Sequence, residues 1–152
     1  EGKGGDKGAK ADRDFVMQAA DGNLAEVALG QLAVDSGSSD EVKKFGQRMI
    51  DDHGKSYKEL SEIATKHGIT TPKEPSAKKQ AETKKFAKLK GDEFDRHFAE
   101  HMIADHEKTI ALFKQAAGKA QSEEIKAYAT KTLPTLQEHL KLARALPGQK
   151  KK

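Results

Sequence analysis

Met49-Ile50-Asp51-Asp52-His53 and Met102-Ile103-Ala104-Asp105-His106 are two copies of one pattern, Met-Ile-x-Asp-His. Each copy has a phenylalanine four residues upstream, Phe45 or Phe98, and a lysine two residues past the histidine, Lys55 or Lys108. Two long segments thus present one histidine in one setting. Shared packing and a shared ligand role both account for such an echo, and the surrounding periodicity has to decide between them.

Around each copy the apolar residues recur at helical spacing. Val42, Phe45, Met49, Ser56, Leu60 and Ile63 form one stripe, and His53 lies on it. Phe94, Phe98, Met102, Ile110 and Phe113 form the second, with His106 four residues after Met102. Ser39 precedes the first of these helices and Asp92 opens the second, each as a cap, and Gly68 and Gly118 mark their ends. Each histidine stands 14 residues past its cap. A helix before them runs from Asp12 to about Asp35 with Val16, Ala20, Leu24, Val27 and Val34 as its apolar face. Glu26 lies beside that face among the small residues Ala19, Gly22, Asn23, Gly30 and Ala33. Two glycines inside a helix each cost about 1 kcal/mol against alanine, which points to close packing or a site there. A helix after them begins at Ser122, passes through Pro134, where a kink is expected, and stops at Pro147-Gly148. His139 lies three residues after Leu136, on its inner side.

The connection from Gly68 to Gly91 is long, since most helix connections are about two to eight residues. Ser76 to Lys88 reads as a short helix that touches the body through Ala77, Ala81 and Phe86. A crossover of that length makes the second and third main helices parallel. The expected architecture is all-α: a four-helix bundle over 12–146, with a flexible leader over 1–11 and a basic tail over 147–152.

Composition bounds the function. The chain of 152 residues carries a net charge of +4 and no cysteine, which excludes disulfides and thiolate metal sites. Mean hydropathy is −0.83, and no apolar run reaches the length of a membrane span. Residues 73–90 hold seven lysines against two glutamates, but only Phe86 interleaves with them, so no stacking platform for nucleic acid is present. These lysines read as a solvated face, with an anionic envelope surface as the alternative partner.

Each of four helices therefore offers one candidate metal ligand near its middle: Glu26, His53, His106 and His139. Imidazole and carboxylate suit a divalent transition metal, with zinc first and copper or iron as alternatives. Asp52, Asp105 and Glu138 precede the three histidines and point about 100° away from them, so they serve as outer partners to histidines of neighbouring helices. His101, four residues before Asp105, is a further outer candidate and takes the place of His106 if the helix is rotated. His97 and His67 are weaker, and His67 sits at a helix end. A buried histidine–carboxylate network without an ion is the competing structural account.

Phe15-Val16, Gly22-Asn23-Leu24-Ala25-Glu26-Val27-Ala28-Leu29-Gly30, Arg48 to His53, Phe94-Asp95-Arg96, Met102 to His106 and Leu133-Pro134-Thr135-Leu136-Gln137-Glu138-His139 together resemble one bacterial family. It is the ferritin-like family known as domain of unknown function 4142, often labelled as exported or outer-membrane proteins. The resemblance covers roughly 12–146 and implies a ferritin-like bundle exported to the periplasm or envelope, without an established activity. Glu26, His53, His106 and His139 fall on its motif positions. Ferritin-like di-iron proteins carry Glu-x-x-His, whereas Ile50, Ile103 and Leu136 stand three residues before these histidines. That departure argues against a di-metal oxidase and for a non-catalytic protein holding one ion. A metal-free structural or stress-related module using its lysine-rich surface is the alternative.

Overall fold

The computed structural model describes residues 3–149, and all of its regular elements are helices. They are α1 (Lys3–Ser36), α2 (Asp40–Lys66), α3 (Ala77–Ala87), α4 (Gly91–Lys119) and α5 (Glu123–Arg144). Serine hydroxyls start three of them: Ser39 accepts from Val42 N, Ser76 from Lys79 N and Ser122 from Ile125 N. Gly68, at φ +69°, turns the chain out of α2 in the left-handed conformation that L side chains avoid. Among the described residues, no helix is long and apolar enough to cross a membrane.

Two tight turns make α1–α2 and α4–α5 into antiparallel hairpins, and the hairpins cap each other. The Asp12 carboxylate of α1 accepts from Gln121 N at 3.0 Å and Ser122 N at 2.8 Å, in the α4–α5 turn. Reciprocally, the Asp95 carboxylate of α4 accepts from Ser38 N at 2.8 Å and Ser39 N at 2.9 Å, in the α1–α2 turn. Both aspartates are buried. The start of α4 is thereby fixed beside the start of α2, so these two helices are parallel and the crossover travels the length of the molecule. On that path α3 lies across α1 and α4.

Several sequence expectations are corrected here. α1 begins at Lys3 rather than at Asp12, because Asp12 caps the other hairpin and the helix passes through it. The expected leader is therefore helical from Lys3, and residues 1, 2 and 150–152 lie outside the described residues. The buried face of α1 is rotated from the expected one: Phe15, Val16, Ala19, Ala20, Asn23, Glu26, Leu29 and Ala33 point inward, while Leu24, Val27 and Val34 are half-buried. α4 starts at Gly91 with no side-chain cap, and Asp92 sits in its first turn, where its charge meets the helix dipole. α3 faces the body with Lys79, Glu82, Thr83 and Phe86, leaving Ala77 and Ala81 exposed. Pro134 lies inside α5, as expected.

The apolar core is in two halves. One gathers Phe15, Phe113, Ile125, Tyr128 and Leu136 near the α4–α5 turn, and the other Phe45, Met49, Phe94, Phe98 and Met102 near the α1–α2 turn. The inward polar residues of the four long helices lie between them in sequence. Against α2, α1 comes into backbone contact: a Cβ on Gly30 would stand 2.6 Å from Gly46 O, and one on Gly46 would stand 2.6 Å from Gly30 O. A Cβ on Gly22 meets nothing within 4 Å. Gly30→Ala and Gly46→Ala should each cost about 1–3 kcal/mol by overpacking, whereas Gly22→Ala should gain up to about 1 kcal/mol of helix propensity. Urea unfolding checks this, and a Gly30→Ala protein as stable as the parent would contradict it.

Candidate metal centre

Helices α2, α4 and α5 bring His53, His106 and His139 together. Ring centroids are 5.7 Å apart for His53–His106, 5.1 Å for His53–His139 and 5.3 Å for His106–His139. One nitrogen of each ring lies within 4.8 Å of the other two. All three side chains are at most 4% exposed.

Each imidazole spends one nitrogen on an outward partner, and the partners fix the tautomers. Asn23 directs its Nδ2 toward Tyr128 Oη, at 3.3 Å, and Ser56 Oγ, at 3.4 Å. Its carbonyl oxygen is left to accept from His53 Nδ1–H at 2.8 Å. His106 Nδ1–H donates to the backbone carbonyl of Met102 at 2.9 Å, a group that only accepts. His139 Nε2–H donates to Asp52 Oδ2 at 2.7 Å, and Arg48 Nε–H donates to the same oxygen at 3.0 Å. What remains is His53 Nε2, His106 Nε2 and His139 Nδ1, all buried without a hydrogen-bond partner among the described residues. In these tautomers every one of them carries a lone pair rather than a proton.

Burial keeps the rings neutral. Desolvation lowers His53 well below its ordinary value of 6.5, and the neighbouring imidazoles add to the effect. It takes His106 down to about 4, and His139 also falls, though its bond to Asp52 opposes the shift. Partial burial pushes Asp52 upward, but the bonds from His139 and Arg48 outweigh it and hold the carboxylate low.

Glu26, expected beside the three histidines, approaches His106 from the other side. Its Oε2 is 3.5 Å from His106 Nδ1, the nitrogen that faces Met102. Its carboxylate groups within 4.8 Å with His101 and Asp105. Both Glu26 oxygens are buried without a hydrogen-bond partner among the described residues, and desolvation followed by the nearby Asp105 charge raises its pKa well above 4.5. Glu138 is half-buried and bears on His139 through its charge. His97 and His67 are exposed, and His67 meets Glu124 and Ser122 at the far end of α2. Asn23 is the residue that sequence reasoning passed over as a partner. Its spacing from Ala19 and Glu26 places it on the inner face once α1 is rotated to the observed orientation.

The arrangement suits a divalent transition metal. Neutral imidazole is a ligand for zinc, copper, iron and nickel, and a ligating ring whose other nitrogen is bonded outward has its lone pair oriented for the ion.

Nitrogen NMR of the metal-free protein at pH 8 should find His53 and His106 protonated at Nδ1 and His139 at Nε2. On lowering the pH, all three should titrate below 6.5, with His106 near 4. The unfolded chain takes up these protons at about 6.5, so stability should be highest above that pH and fall as the pH drops toward the lower folded values. Glu26, with its raised pKa, works in the opposite direction, one carboxyl against three imidazoles. Histidines titrating at 6.5 or above, or stability that does not change between pH 7 and 4.5, would contradict this electrostatic account.

No curated protein and no solved structure matches the chain. The model of the family described as domain of unknown function (DUF4142) matches residues 2–146. That span takes in all three histidines, Glu26 and both reciprocal caps, and the chain belongs to this family.

Proposed function

We propose that the chain is a non-catalytic metal-binding protein, with its four long helices forming a ferritin-like four-helix bundle and one divalent transition-metal ion held by His53, His106 and His139. Three buried imidazole nitrogens with no partner among the described residues, each on a ring pinned from behind, carry this reading. A hydrogen-bond network built without an ion would use those nitrogens, because leaving a buried acceptor unpaired costs about 1–3 kcal/mol.

Zinc is the first candidate ion. The donors are neutral nitrogens in a site without cysteine, which suits zinc, copper and iron. Three protein ligands are the number found in catalytic zinc sites, where the remaining position faces substrate. Here the histidines are at most 4% exposed and sit between two apolar halves, so the surroundings favour storage, buffering or stabilisation over hydrolysis. Placement in the bacterial envelope is supported by the resemblance of the sequence motifs to exported proteins.

Untagged protein purified without chelator should contain about one equivalent of a single metal, and His53→Ala and His106→Ala should each lose it. Free zinc at a hundred times its Kd stabilises by about 2.7 kcal/mol, which for a domain of this size raises Tm by roughly 5–10 °C. Metal content unchanged in both variants would sink the assignment. So would a parent protein that takes up no zinc, copper or iron.

A further inference from the structure

A second cluster lies against the other edge of His106. Glu26 of α1 and His101 and Asp105 of α4 each offer a ligand atom, and these atoms are within 4.8 Å of one another. Glu26 is only 3% exposed, and both its oxygens lack a hydrogen-bond partner among the described residues. Burying a carboxyl in this way is costly unless something pairs with it. α3 covers the cluster. Its Lys79 Nζ stands 3.7 Å from Asp105 Oδ1, and its Phe86 ring packs edge-on against His101 with centroids 5.2 Å apart.

We propose that Glu26, His101 and Asp105 form a second divalent-cation site, distinct from the three-histidine site, in which the Lys79 ammonium neutralises the carboxylates while no cation is bound. The donor chemistry separates the two sites. Three neutral imidazoles favour zinc or copper, while two carboxylates and one imidazole favour a harder ion of the manganese or ferrous type. Charge supports the same division: Glu26 and Asp105 offset a divalent cation, with the Glu82 carboxylate of α3 also acting on Glu26. Lys79 is the nearby positive charge, and a bound cation would repel it. The two sites share His106 as a wall, since Glu26 Oε2 lies 3.5 Å from its Nδ1. This inference goes beyond the three-histidine reading and stands or falls separately from it.

The test is Mn2+ titration of the zinc-treated 152-residue chain, followed by the electron paramagnetic resonance of free Mn2+, with zinc content measured in the same samples. The parent should bind one Mn2+ per chain. Glu26→Gln and Asp105→Asn should each weaken Mn2+ binding by at least about tenfold while leaving the zinc content unchanged, and Lys79→Gln should strengthen it. Asp105→Asn changes a half-buried residue, so it remains informative if Glu26→Gln does not fold. Mn2+ binding unaffected by both carboxylate variants, or absent from the parent, would overturn the second site. Loss of zinc together with Mn2+ in Glu26→Gln would overturn its separateness and return Glu26 to the histidine ion. Mn2+ binding that depends on Glu26 in a protein that takes up no zinc would uphold the second site and defeat the three-histidine reading.

Discussion

Among the described residues, five buried atoms without protein hydrogen-bond partners, three imidazole nitrogens and two carboxylate oxygens, are the constraint around which this molecule is organised. At about 1–3 kcal/mol for each unpaired group, their combined cost is of the same order as the whole stability of a domain, about 5–15 kcal/mol. Natural cores seldom tolerate such a concentration. The surrounding structure nonetheless holds these atoms in place. Asn23, the Met102 carbonyl and Asp52 each hold one ring from its far side; Tyr128 and Ser56 in turn hold Asn23, and Arg48 holds Asp52. A ligand that accepts lone pairs would convert that cost into binding energy, so the proposed metal binding would be coupled to folding.

The two apolar halves provide the stability that lets the polar residues remain in the interior. Phe15, Phe113 and Tyr128 pack edge-to-face or tilted in one half, and in the other Phe45 packs edge-on against Phe98, which stacks on Phe94. Asp12 and Asp95 then tie each hairpin to the turn of the other, so the depth of α1 and α2 relative to α4 and α5 is set at both ends. Register matters here because a slide of one helical turn is about 5.4 Å, more than the spacing within which the three nitrogens gather. The Gly30–Gly46 approach fixes the remaining degree of freedom, the distance between α1 and α2.

Much of this was legible in the sequence because it depends on local chemistry. Ser39, Ser76 and Ser122 announce helix starts, Gly68 announces an end, and apolar stripes carry His53, His106 and His139 inward. What the sequence hid depends on tertiary contacts. α1 has Leu24 and Val27 beside Asn23 and Glu26, and hydrophobicity alone turns the wrong pair toward the core. The inner face is decided by Phe15 and Leu29 and by the glycine contact with α2. That rotation also turns Asn23, a small residue beside the expected apolar face, into the partner of His53. Asp12 looked like the cap of its own helix because capping across 109 residues leaves no local signature. Lys79 was one lysine in a solvated run until α3 was laid over Asp105.

The central claim is that three imidazoles, and not carboxylates, hold the principal ion. X-ray absorption at the zinc edge of protein loaded with one equivalent addresses it directly. The account predicts three nitrogen scatterers at about 2.0–2.1 Å with the outer-shell pattern of imidazole rings. A first shell made up mainly of oxygen, or one containing fewer than two imidazoles, would contradict it.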